Sequence, residues 1–305
     1  MPHDQPTPSL AADTIVENYR VQDEIGHGGT GTVYSALHVA TLQRVAIKVL
    51  HPEHRASAEA VARFRRDAKL VAQLRGEHIC RITSFGSLPT GEPYMILELL
   101  DGDDLQTISD RSGRLDVVTV VDYVLQACIA LAEAHGRGVV HRDIKPANLF
   151  RLQRRDGSEL IKVLDFGIAK SMTGSDELLT RTGSRIGSLP YMSPEQLRSS
   201  KSVDTRTDIW SLGATMYQLA SGHLPFRCDS SFSDTAIRIW SDEPASLRDV
   251  PRDFDEIVMR CLAKDAANRF ANVAALATAL APLGGEDSPV LATRVGRTLG
   301  ASKQT

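Results

Sequence analysis

Between Tyr19 and Lys48 apolar and polar residues alternate in short runs, Thr32-Val33-Tyr34 and Arg44-Val45-Ala46-Ile47 among them, separated by a glycine cluster and by Ala40-Thr41-Leu42-Gln43. A period of two marks half-buried strands, so this stretch predicts an antiparallel meander. From Ser57 to Leu74 the period lengthens: Val61, Phe64, Ala68 and Val71 fall on one face of a helix. Strand signals return at Ile79 to Phe85 and Tyr94 to Leu99, with Pro89-Thr90-Gly91 as the turn between them. Five strands and one helix, over about residues 19–100, predict a small sheet lobe.

After Gly102 the pattern turns helical. Asp116 stands as a cap before Val117, Val120, Val121, Val124, Cys128 and Leu131, and Gly136 ends the run. Further helices are expected at about 208–221, 253–263 and 271–281, and a hairpin around Asp156-Gly157. From about 165 to 195 no period survives, over a stretch of roughly 30 residues where ordinary connections take about 4 to 6, and loops that long usually serve function. Pro2, Pro6 and Pro8 among small polar residues predict a disordered arm over 1–18, and Gly284-Gly285-Glu286-Asp287-Ser288-Pro289 predicts a flexible tail over 284–305.

Composition narrows the class without naming a function. The 305 residues are 42% apolar and 24% charged, enough for one large domain or two intimate lobes. A net charge of −3 supplies no field toward nucleic acid or anionic lipid, so no nucleic-acid partner is expected. Cys80, Cys128, Cys228 and Cys261 are scattered with no metal-binding spacing, which reads as free thiols in a reducing compartment. The start, Met1-Pro2-His3-Asp4, has no basic and apolar leader, and no run is read as long enough for a membrane segment. A cytoplasmic location is the expectation.

Four motifs carry chemistry. Gly26-His27-Gly28-Gly29-Thr30-Gly31-Thr32-Val33 is G-x-G-x-x-G-x-V between two strand signals, where missing side chains let backbone N–H groups approach phosphate oxygens. A dinucleotide-binding turn would need a helix directly after it, and strands follow instead. Val45-Ala46-Ile47-Lys48 ends an apolar strand with an ammonium, which is costly there unless it meets an anion. His141-Arg142-Asp143-Ile144-Lys145-Pro146-Ala147-Asn148 and Asp165-Phe166-Gly167 complete the series. A carboxylate for the nucleophile, a metal-binding carboxylate and amide, and lysines for phosphate are the types that phosphoryl transfer to a hydroxyl needs.

In these motifs the chain resembles the eukaryotic-like (Hanks-type) serine/threonine protein kinases, and most closely their bacterial members, over about residues 19–283. The resemblance implies an α+β, two-lobed protein kinase-like fold: a small antiparallel-sheet lobe with one main helix at about 19–100, and a larger, mostly helical lobe at about 101–283. It implies ATP and Mg²⁺. Gly26, Gly28 and Gly31 would cover ATP, Lys48 hold its α/β-phosphates, Asp143 accept or orient the substrate hydroxyl proton, and Asn148 and Asp165 bind the metal. Lys145 would neutralise the γ-phosphate, and a lysine there matches the serine/threonine branch. Val33, Ala46 and Phe150 would line the adenine slot, Leu97 be the gatekeeper, Glu98 to Leu100 the hinge, and Asp104 reach the ribose. Val71, Ile82, His141 and Phe166 would form the stack that couples the lobes. Ser193-Pro194-Glu195 stands where the family has Ala-Pro-Glu, with Arg269 as the partner of Glu195, and Asp208-Ile209-Trp210-Ser211-Leu212-Gly213 matches the core helix of the large lobe; both read as structural.

The pattern departs from the family first at a charged position on the small-lobe helix. Where the family places a glutamate to hold the strand lysine, this chain has Asp67, one methylene shorter, on the face shared with Phe64 and Val71. Ser188 keeps the hydroxyl of the usual threonine, and Ala147 replaces a common glutamate. Arg142, a cation beside the catalytic carboxylate, calls for an anion, and by resemblance that anion is a phosphate on the long loop, at Thr180 and Thr182. Autophosphorylation between molecules, through a transient homodimer, is therefore expected, and the other partners are proteins offering serine or threonine. Two rival readings are a pseudokinase scaffold, motivated by Asp67 alone, and a small-molecule phosphotransferase, which leaves Lys145 and the long loop unexplained.

Overall fold

The alternating runs pair as their periodicity demands. A computed structural model describes residues 10–28, 31–51, 58–166, 187–198, 203–228 and 231–301, and these divide into two units. In the first, β1 (Ile15–Val16), β2 (Tyr19–Gly28), β3 (Gly31–His38), β4 (Arg44–Leu50), β5 (Ile82–Ser87) and β6 (Pro93–Glu98) form an antiparallel sheet in the order β1-β2-β3-β4-β6-β5. Residues directly opposite on paired strands share a face. One face therefore carries Tyr34, Ile47 and Ile96 in one row and Thr32, Val49 and Tyr94 in another, and the opposite face carries Val33, Lys48 and Met95 beside Ser35, Ala46 and Leu97.

The first face explains why residues 10–18, expected to belong to a disordered arm over 1–18, are ordered; residues 1–9 lie outside the described residues. Its apolar rows need cover, and Leu10 and Val16 supply it, joining Val21, Tyr34, Ala36, Val45, Ile47, Val49, Leu88, Tyr94 and Ile96 in a buried cluster. The Glu17 carboxylate then accepts from Ser84 Oγ at 2.7 Å and from the Tyr94 hydroxyl at 2.8 Å. The helix α1 (Ala58–Val71) buries Phe64, Ala68 and Val71, the periodic face read from the sequence.

The second unit takes in residues 74–80 and the described chain from Asp101 onward. β7 (Gly102–Asp104), β8 (Leu149–Gln153) and β9 (Glu159–Val163) make a small antiparallel sheet, with the hairpin at Asp156-Gly157 between β8 and β9. Helices follow as α2 (Leu105–Ser112), α3 (Val117–Gly136), α4 (Pro194–Arg198), α5 (Arg206–Ser221), α6 (Phe232–Ser241), α7 (Arg252–Cys261), α8 (Val273–Leu280) and α9 (Ser288–Ala301). Asp116 caps α3 as expected, its carboxylate accepting from Thr119 N at 2.9 Å. α3 corrects the expectation that no run is long enough for a bilayer: at 20 residues it is long and apolar enough by composition, yet it is the core helix of this unit, with Val120, Val121, Val124, Leu125 and Leu131 fully buried.

The tail expected to be flexible from 284 is mostly helix. α9 packs along α3 with Val295 buried, Ser288 Oγ and Gly285 N both donate to the Asp122 carboxylate, and Arg294 pairs with Glu77 at 2.6 Å. Gly296 and Gly300 lower its intrinsic helix propensity, and burial on α3 overrides that. Residues 74–80 are clamped to the same unit: Glu133 accepts from Arg75 N and Gly76 N at 2.8 Å each, and Cys80 N and Val163 O meet at 3.0 Å.

Candidate active site

In the sheet unit the motif residues gather on the face opposite the apolar cluster. Lys48 is only 6% exposed, directly between Val33 on β3 and Met95 on β6, with Ala46 and Leu97 one step along the same face. Among the described residues no ion pair joins Lys48 to Asp67, which is half-buried on α1. Glu98 ends β6 opposite Val45, its carboxylate accepting from Arg81 N at 2.8 Å, and Leu100 ends the described chain of this unit.

The glycine hairpin separates two reasons for having no side chain. A Cβ on Gly31 would stand 2.3 Å from the carbonyl oxygen of Val49, so glycine there is demanded by the close approach of β3 to β4. At Gly26 and Gly28 the nearest described atoms are 3.8 Å from such a Cβ. Packing within the unit does not require glycine at those two positions. A ligand that must touch the backbone does, and the residues present thus fit a bound phosphate chain.

In the helical unit the catalytic-type residues are held by a buried network centred on Asp208, at the start of α5. Its carboxylate accepts from Arg142 N at 2.8 Å, His141 N at 2.9 Å and His135 Nε2 at 2.8 Å. Burial alone would raise this carboxyl, but the bond from His135 and that from the His141 backbone N–H outweigh it and hold it below the ordinary carboxylate range. Those bonds keep Arg142 at φ 65°, a left-handed conformation that costs a non-glycine residue about 1 kcal/mol or more. Gln196 Nε2 adds a bond to the Arg142 carbonyl at 2.9 Å. The sequence reading placed Asp208 in a structural helix and missed this positioning role; the signal available was a lone carboxylate directly ahead of Ile209-Trp210 in a helix whose residues are mostly buried.

His141 is fully buried and its protonation is set by its partners. Nε2 donates to Leu164 O at 2.7 Å and Nδ1 accepts from Asp143 N at 3.2 Å, so the ring is neutral, and burial pushes its pKa below the ordinary imidazole value. Its ring also lies 4.6 Å from that of Phe166, the two members of the expected stack that belong to this unit.

Around Asp143 the remaining motif residues converge. Asn148 Nδ2 donates to the Asp143 carbonyl at 2.7 Å and to Oδ2 at 3.0 Å. Lys145 Nζ lies 3.4 Å from Asp143 Oδ2 and donates to Ser188 Oγ at 2.8 Å, so the hydroxyl retained at Ser188 anchors the lysine. Leu164 N donates to the Asn148 carbonyl at 2.9 Å, tying the strand that leads into Asp165 to the same loop. Asp165 is exposed at φ 50°. The Asn148 amide oxygen and the Asp165 carboxylate are hard oxygen donors, the type that suits Mg²⁺ bound jointly with phosphate. Asp104 caps α2, both carboxylate oxygens accepting from Thr107, at 2.9 Å from N and 2.8 Å from Oγ1, and Phe150 pairs with it across β7 and β8. Thr180 and Thr182 lie outside the described residues.

The expected Glu195–Arg269 pair is present and bidentate, at 2.7 and 2.8 Å, with the guanidinium also donating to the carbonyls of Ala263, Lys264 and Arg206. Burial would raise Glu195, but Arg269 holds it below the ordinary range.

A family model described as "Protein kinase domain" matches residues 19–280. Among curated proteins, the serine/threonine-protein kinase pkn3 of Myxococcus xanthus is 36% identical over 88% of this chain and 50% of its own length. The serine/threonine-protein kinase PknB of Mycobacterium tuberculosis is 34% identical over 88% of this chain and 42% of its own. The chain thus spans about half the length of these relatives. Among solved structures, the PknI kinase domain of Mycobacterium tuberculosis superposes with a TM-score of 0.68 at 27% identity, covering 89% of this chain and 98% of that one.

Proposed function

Since the chain belongs to the protein kinase domain family, we propose that it transfers the γ-phosphate of ATP to serine or threonine hydroxyls of proteins. The observation that carries this reading is the constellation of Asp143, Asn148, Lys145 and Ser188, with Asp208 bonding the backbone of His141 and Arg142 just ahead of it. Asp143 orients the hydroxyl and takes its proton at Oδ as the oxygen attacks phosphorus, while Lys145 offsets charge on the transferring group. Asn148 and Asp165 would hold Mg²⁺, which supplies charge neutralisation on the phosphates. Gly26, Gly28, Gly31 and Lys48 hold the triphosphate, Val33, Ala46, Phe150 and the Glu98–Leu100 edge take the adenine, and Asp104 meets the ribose through a lone pair left by capping.

Regulation belongs to the same reading. Phosphate on Thr180 and Thr182, added between molecules in a transient homodimer, would add an anion for Arg142 to bind, in a cytoplasmic setting suited to free thiols. The rival scaffold reading draws on Asp67 alone, one methylene short of the usual glutamate. The test is to incubate the purified chain with Mg·ATP and a generic basic protein and map phosphate by mass spectrometry. Phosphate on both that vanishes in Lys48→Met supports the kinase, with Thr180 and Thr182 the expected sites. None on either overturns it in favour of the scaffold.

A further inference from the structure

The glycine hairpin is fastened at its tip by a residue that the reading above does not use. His51 stands immediately after β4, and its Nε2 donates to the carbonyl oxygen of Gly28, the last residue of β2, at 2.8 Å. Its ring lies 5.1 Å from that of His27, the variable residue between the first two motif glycines, tilted by 52°. His27 is held in turn by Thr32 Oγ1 at 3.2 Å from Nδ1, across the hairpin on β3. One side chain thus ties β4, which carries Lys48, to the tip of the loop that would cover the phosphates.

We propose that His51 is a positioning residue for nucleotide binding, acting through the Gly28 carbonyl; this rests on the kinase reading. A hairpin tip with glycines at Gly26 and Gly28 has little steric restraint of its own, since a side chain there would meet nothing closer than 3.8 Å among described atoms. A peptide group in such a loop can turn its carbonyl toward the ligand as easily as its amide. A carbonyl turned onto a phosphate repels it. The bond from His51 holds the Gly28 oxygen toward the end of β4, where it has a donor, and so removes the wrong orientation before ATP arrives. Preorganisation of this kind shows in affinity, not in the chemical step, because the bond is made equally in the ground and transition states.

The fastening needs a donor at the reach of Nε2, not an imidazole. Glutamine places its amide nitrogen at a similar reach and so replaces the bond. Phenylalanine keeps a ring against His27 and loses the donor. These two substitutions separate hydrogen bonding from packing.

The experiment compares wild type, His51→Gln and His51→Phe in two measurements. The first is steady-state kinetics with Mg·ATP varied. His51→Phe is expected to raise KM for ATP about three- to ten-fold, the worth of one lost hydrogen bond, with kcat within about two-fold, and His51→Gln to restore KM. The second is hydrogen exchange of the peptide spanning residues 19–36 without nucleotide, where His51→Phe is expected to exchange faster and His51→Gln like wild type. Equal KM and equal exchange in all three proteins overturns the proposal, as does a loss that His51→Gln fails to repair. A wild-type chain without kinase activity overturns the kinase reading and with it the nucleotide role of His51, while exchange still decides whether His51 fastens the hairpin.

Discussion

Asn148 holds Asp143 twice, donating through Nδ2 to its backbone carbonyl at 2.7 Å and to its carboxylate at 3.0 Å. Both protons of one amide nitrogen are thereby committed, and the amide oxygen is left facing away from Asp143, as an acceptor for a cation. One side chain orients the base and offers a metal ligand, so the two roles are geometrically coupled.

From this coupling, Asp143→Asn and Asp165→Asn should each lower phosphoryl transfer by about 10² to 10⁴ or more while leaving the melting temperature within a few degrees, since both side chains position charge and neither fills the core. Steady-state rates beside thermal denaturation check this. Wild-type turnover in either variant would sink the roles assigned.

Asp67→Glu should raise kcat/KM and Asp67→Ala should lower it. The added methylene extends the carboxylate by about 1.3 to 1.5 Å, the reach that separates aspartate from the glutamate usual at this position. Kinetics on the three proteins decide it. Identical values would show that no ion pair from α1 operates here.

Removing Glu195 should be far costlier than removing a surface acid. Arg269 is 2% exposed, and Glu195→Ala would leave its guanidinium buried with carbonyl partners alone. Loss of one member of a buried pair costs about 3 to 5 kcal/mol, measurable as a lower urea midpoint. A loss under about 1 kcal/mol would mean that the carbonyls suffice.

Acidification should destabilise the fold beginning near neutrality. His78 and His141 both have pKa values pushed below the ordinary 6.5, in each case chiefly by burial. The unfolded chain therefore takes up protons first, so their stabilisation is complete above about pH 6.5 and is lost as pH falls below it. Asp208 and Glu195, depressed below the carboxylate range, hold their contribution until lower pH and lose it as they protonate. Urea midpoints at about pH 7.5 and about pH 5.5, either side of the unperturbed imidazole value, should fall with acid, and His78→Asn, which keeps a donor for the Ile161 carbonyl, should flatten the difference. An unchanged midpoint would contradict the buried, neutral histidines.

Residues that act by local backbone pattern were readable in the chain. The strands around Lys48, the inward face of α1 and the cap at Asp116 followed from periodicity and side-chain type. Asn148 and Lys145 were readable as motif members, but the anchor of Lys145 on Ser188 and the hold of Asp208 on the backbone ahead of Asp143 come from tens of residues away. Leu10 and Val16 looked like parts of a polar arm because two apolar residues make no period; the sheet face that needs them is written elsewhere in the chain. α9 was hidden by its glycines, since its stability comes from the surface of α3.

The docking of α9 bears on how this molecule is cut. The shared family match stops at Leu280, yet Gly284 and Gly285 sit against Val121 and Asp122, and Arg294 reaches Glu77. A recombinant fragment trimmed to the family boundary would bare part of α3 to water and strip Asp122 of the partners that α9 and its lead supply. Such a fragment would keep every catalytic residue and still be prone to aggregate. The evolutionary module and the folded body end at different residues, and expression would follow the second.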